Sequence, residues 1–110
     1  MTVTLSTRNA EACTVVEVGG EIDQDSSTRI REHVDELIGG ARYRLIFDLE
    51  HLDRFDSAGV DALEYALKQA GEHDGSVRLV CDRERVLRVL RDNGNRVPVY
   101  PSVEAALAAG

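Results

Sequence analysis

The stretch Tyr43-Arg44-Leu45-Ile46-Phe47-Asp48-Leu49 is nearly continuous in apolar residues. A strand with one face in water alternates apolar with polar, because successive side chains point to opposite sides. A strand apolar at consecutive positions is covered on both faces, the situation of a sheet sandwiched by helices. That single segment sets the frame for the rest of the chain.

The flanking segments fit the frame. Val3 and Leu5 alternate with Thr4 and Ser6, as in a half-buried edge strand. Cys13 to Val18 is rich in β-branched residues and closes at Gly19-Gly20, so with the polar link Asn9–Glu11 the two strands form a hairpin. A first helix follows, with Ile30, Val34, Leu37 and Ile38 on one face. Asp25, Ser26 or Ser27 caps it, and Gly39-Gly40 stops it. After the buried strand, His51 to Asp56 reads as an exposed polar loop. Val60, Leu63, Leu67 and Ala70 then stripe a second helix that ends at Gly71.

Val77–Cys81 is a further strand, and Asp82 caps a helix carrying Val86, Leu87 and Leu90. Val97–Tyr100 is a short last strand in which Pro98 removes a ladder donor, so it is expected at an edge or irregular. Pro101-Ser102 opens a last helix with Val103, Ala106 and Leu107 inward. The order ββαβαβαβα alternates from the second strand on. It predicts one α/β domain over residues 1–110, with a mixed, mostly parallel sheet covered by helices.

Composition excludes several functions. With 13 basic against 20 acidic residues and a net charge of −7, the chain lacks the basic face that nucleic-acid binding needs. No apolar run approaches a membrane span of about 20 residues, and the first residues carry no basic-then-apolar leader pattern. The expected setting is the cytoplasm. Cys13 and Cys81 form no ligand cluster with His33, His51 or His73 and read as buried thiols, while His33 reads as a surface residue. No metal or cofactor is expected.

Asp56-Ser57-Ala58-Gly59 carries the chemistry. It places a hydroxyl at or beside the first turn of the second helix, where unpaired N–H groups favour an added negative charge. Such a serine is a cap, a nucleophile or a phosphate acceptor. A nucleophile needs a positioned base and an oxyanion hole, and this motif lacks the leading glycine of a G-x-S-x-G elbow. No Gly-rich phosphate loop is present, so an enzyme is not expected. The cap and the phosphate acceptor remain. Gly59 in the first turn lets another backbone approach closely, and Phe55 is either a core plug or a partner contact.

Phe55-Asp56-Ser57-Ala58-Gly59-Val60, after a strand and before a helix, resembles the signature of STAS domains, and more narrowly of bacterial anti-sigma factor antagonists. Gly20-Glu21-Ile22-Asp23 resembles the family's other recurrent segment, and the resemblance covers essentially the whole chain. It implies a partner switch. The unmodified protein would bind an anti-sigma factor that is also a serine kinase, releasing a sigma factor. Phosphorylation of Ser57 would end that binding, and a phosphatase would restore it. The implied docking surface comprises Glu21, Asp23, Asp25, Phe55, Asp56, Ala58, Gly59, Asp61 and Glu64, on a monomer or weak dimer. Ala58, Val60 and Asp61 depart from the commoner pattern, and the charge of Asp61 opposes a phosphate nearby. Two alternatives share the fold: an adaptor of a lipid-transport ATP-binding-cassette system, and a scaffold or ligand-binding module without phosphate turnover.

Overall fold

The computed structural model describes residues 3–109; residues 1, 2 and 110 of the expected domain lie outside them. Strand β1 (Val3–Ala10) and β2 (Cys13–Ile22) form an antiparallel hairpin, in register from Val3↔Gly20 to Ala10↔Cys13. Helix α1 (Gln24–Gly39), β3 (Arg44–Phe55), α2 (Ser57–Gly71), β4 (Ser76–Val80), α3 (Glu84–Asp92), β5 (Val99–Tyr100) and α4 (Val103–Ala108) follow. The strands lie in the order β1-β2-β3-β4-β5, parallel from β2 onward. The expected mixed sheet is therefore present, with β1 and the short, Pro98-preceded β5 at its edges.

The apolar run of β3 is buried on both faces for separate reasons. Leu45, Phe47 and Leu49 join the main core beneath α1, α2 and α3, with Ile30, Val34, Leu63, Val86 and Leu90. Ile46 faces the other way, into a smaller cluster with Cys13, Val15, Val80 and Ala106 under α4. Two helical layers thus exclude water from one strand, which is why its pattern has no period of two. Cys13 and Cys81 are both buried and unpaired by disulfide. Asp48 is also buried, its carboxylate accepting from the Glu50 N–H at 3.0 Å.

The lengths of β2 and β3 differ from expectation, and the difference builds the site. Gly19-Gly20 does not end β2. The strand continues through two register irregularities to Ile22. The segment His51 to Asp56 is not a loop either: β3 runs on to Phe55, paired with β2 through Glu21↔Arg54 and Ile22↔Phe55. Pairing with β4 stops earlier, at Asp48↔Val80, leaving carbonyls of β3 without a strand partner on that side. Arginine side chains take them instead. Arg83 donates to the carbonyls of Glu50 and Leu52, and Arg85 to that of Asp53. Each bond gives a backbone carbonyl the donor that pairing would otherwise supply.

The starts of α1 and α3 also differ from expectation, and that of α2 excludes the cap reading of Ser57. Asp23, not Asp25, Ser26 or Ser27, caps α1, accepting from the Ser26 N–H at 2.9 Å. Asp56 caps α2, accepting from the Ala58 N–H at 3.0 Å. Arg83, rather than Asp82, occupies the cap position of α3 and makes no side-chain cap bond. In the first two cases the strand ends one residue before the cap, so the cap is the first residue whose side chain can turn back on the helix.

Candidate functional site

Because β2 and β3 extend side by side and end at Ile22 and Phe55, their following helices begin side by side as well. Asp23 and Asp56 stand at the two starts as caps. The Ser26 backbone N–H, and then the Ser26 hydroxyl, hold the Asp23 carboxyl below the usual range for an aspartate. A carboxylate at a helix start also lies favourably against the helix dipole.

Ser57 is the first residue of α2 and is exposed. Asp56 already performs the capping, and the Ser57 hydroxyl makes no hydrogen bond among the described residues. The fold makes no use of that oxygen. The cap reading of Ser57 is thereby corrected: its neighbour does that job, and the serine is left presenting a free hydroxyl to solvent.

Beneath Ser57 lies a support formed by Phe55, Gly59 and Ile22. Phe55 is 7% exposed and belongs to the main core, so it is a core plug and shapes the surface from below. A Cβ at Gly59 would lie 2.5 Å from Phe55 Cε1 and 3.0 Å from Ile22 Cγ2. Glycine is required there because the first turn of α2 rests directly on the phenyl ring. The close approach at Gly59 is therefore made by the Phe55 and Ile22 side chains, not by another backbone as expected.

The remaining expected residues divide by exposure. Asp25 is exposed on the first turn of α1, Asp61 is exposed one turn beyond Ser57 on α2, and Ala58 is half-buried. Glu21, also half-buried on the β2 extension, has one carboxylate oxygen enclosed without a hydrogen-bond partner among the described residues. Glu64 is drawn into the fold instead. Its carboxylate accepts from the Arg96 backbone N–H at 2.9 Å and from the Arg96 guanidinium at 3.0 and 3.1 Å. It tethers the approach to β5, and any partner would meet it already paired.

A polar cavity of about 340 Å³ lies between the helix starts, lined by Gln24, Ser27, Thr28, Arg31, Ser57, Ala58 and Asp61. Sequence reasoning included Gln24 in the segment Glu21–Asp25 but did not identify Ser27, Thr28 or Arg31 as site residues. Their signal was the recurrence of 24, 27, 28 and 31 on one face of a helix, and it acquires meaning only once α1 is known to start beside α2. The cavity holds hydroxyls, an amide and one charge of each sign. His33, half-buried, is accounted for elsewhere, bonded to the Thr7 hydroxyl at 2.8 Å. Among the described residues no group of histidine, cysteine and acidic side chains could hold a metal ion, and no helix is long and apolar enough to cross a membrane.

The family model of the STAS domain matches residues 4–106. The chain belongs to the STAS family. No curated protein matches its sequence. Solved structures of similar fold include an anti-sigma factor antagonist from Mycobacterium paratuberculosis, with 22% identity, TM-score 0.79, and coverage of 98% of this chain and 93% of that one. The phosphorylated form of the Bacillus cell fate determinant SpoIIAA matches with 20% identity and TM-score 0.71, over 99% and 100% of the two chains. A STAS-domain anti-sigma-factor antagonist protein from Planctomyces limnophilus matches with 19% identity and TM-score 0.79, over 96% and 95%. At these identities the likeness establishes a shared STAS fold along nearly the full length of each chain.

Proposed function

We propose that this STAS protein is an anti-sigma factor antagonist whose unmodified form binds an anti-sigma factor serine kinase and whose phosphorylation on Ser57 ends that binding. The observation that carries the reading is the free, exposed Ser57 hydroxyl at the start of α2, beside a cap that is already filled. A phosphoserine adds about −1.5 to −2 charges and three acceptor oxygens. At a helix N-terminus the fold tolerates that charge. A partner surface fitted to a hydroxyl does not, because it must accommodate bulk and an unpaired charge.

The docking surface in this reading centres on Ser57, Ala58 and Asp61, with Asp23, Asp25 and Glu21 beside them. Asp56 fixes the position of the serine, while Phe55 and Gly59 support it from beneath. Phosphate on Ser57 would be removed by a separate phosphatase, and the exchange would take place in the cytoplasm.

The test is capture from native-host lysate on wild-type, Ser57→Ala and Ser57→Asp baits, with phosphosite mapping of the wild-type protein after incubation with the captured fraction and ATP. The reading predicts that a small histidine-kinase-like ATPase is recovered by the first two baits and depleted on the third, and that phosphate appears on Ser57 alone. Recovery of transporter ATPase subunits by all three baits, with Ser57 unmodified, would replace it with the transport-adaptor reading.

A further inference from the structure

Arg31 is the one cation lining the cavity that contains Ser57. It lies one helical turn beyond Ser27 and Thr28 on the same face of α1, and faces Ser57, Ala58 and Asp61 across the opening. Its guanidinium forms no ion pair or hydrogen bond among the described residues. It is not loose, however. The Arg31 Cζ lies 5.5 Å from the centre of the Tyr65 ring of α2. Tyr65 is itself fixed by a hydrogen bond of 2.6 Å from its hydroxyl to Asp35 on α1. The aromatic face therefore orients the guanidinium while leaving its N–H donors unspent.

From this arrangement we infer that Arg31 receives the phosphate of phosphorylated Ser57 within the same molecule, bridging α1 and α2. The inference rests on Ser57 being the phosphate acceptor and assigns the group that holds the modified state. A hydroxyl is too short to engage the guanidinium, and none does so in the unmodified protein. A phosphate projects further into the cavity and presents oxygens that match the planar fork of arginine. The same contact answers the charge problem set by Asp61. That carboxylate repels a phosphate in the shared cavity, and Arg31 supplies the opposing positive charge from the other wall. Phosphorylation then changes the shape of the surface as well as its charge, because the cavity between the helices becomes filled and bridged.

The test uses full-length protein carrying phosphoserine at position 57 by genetic incorporation, so that it needs no kinase. Phosphorus NMR follows the second ionisation of the phosphate in the otherwise wild-type protein and in Arg31→Gln. The bridge predicts that the substitution raises this ionisation by about one pH unit, since a partner for the dianion is removed. An unchanged titration would overturn it. Arg31 is exposed, but should the variant fail to fold, the wild-type background gives an independent reading. Phosphorylation must shift the Arg31 Nε–H resonance, and an unmoved resonance would exclude the contact. Neither result bears on whether a partner kinase is captured. A phosphate not held by Arg31 can still switch binding off, so the two readings fail separately.

Discussion

Phe55→Ala is expected to lower the unfolding free energy by about 4 kcal/mol, measured by urea denaturation. The ring is nearly enclosed, and its edge lies where a Cβ on Gly59 would need to be. It joins the end of β3 to the first turn of α2 and sits beside Ile22 at the end of β2. Removing it leaves a void that a glycine cannot fill, so the cost contains both lost burial and a cavity. Against a typical domain stability of about 5–15 kcal/mol, this is a large fraction. A side chain that served only a partner would leave the isolated protein unchanged. A loss below about 1 kcal/mol would therefore return Phe55 to the docking surface and remove the support proposed beneath Ser57.

Gly75→Ala is expected to cost about 3 kcal/mol at a point remote from the helix starts. Gly75 lies immediately before β4, its N–H donating to the Ala70 carbonyl at 2.8 Å. An added Cβ would fall 2.0 Å from the Tyr43 carbonyl oxygen and 2.7 Å from Tyr43 Cβ. That oxygen already accepts the Ser76 N–H at 2.9 Å, beside the first β3–β4 pair, Arg44↔Ser76. Backbone cannot step aside as the tip of a flexible side chain can, so β4 must draw away from β3 or lose that bond. The denaturation midpoint should fall with little change in slope. A variant as stable as the wild type would show that the turn from α2 into β4 rearranges freely.

The two strongest sequence signals were those tied to burial. The apolar run of β3 identified a doubly covered strand, and the spacing of Ile30, Val34, Leu63 and Leu90 identified the faces of three helices. Boundaries were less legible because they depend on neighbours. Residues 51–56 read as a loop since their composition is polar, yet Leu52 and Phe55 are buried while His51, Asp53 and Arg54 are exposed. A strand with one side open to water carries such residues, and the arginines that complete its hydrogen bonding come from the distant positions 83 and 85. The caps were misplaced by a residue or more for the same cause. Until the ends of β2 and β3 were located, several adjacent acids and serines were equivalent candidates. The motif singled out Ser57, which the structure places exposed at the start of α2, whereas no motif singled out Arg31. Nothing along the sequence places residue 31 in the same cavity as residue 57.

The most direct measurement of the proposed switch is the affinity of the captured kinase for this protein with serine and with phosphoserine at position 57, by titration calorimetry. The account predicts at least about a hundredfold weakening on phosphorylation, with circular dichroism unchanged because the start of α2 tolerates the added charge. Equal affinities for the two forms would contradict it.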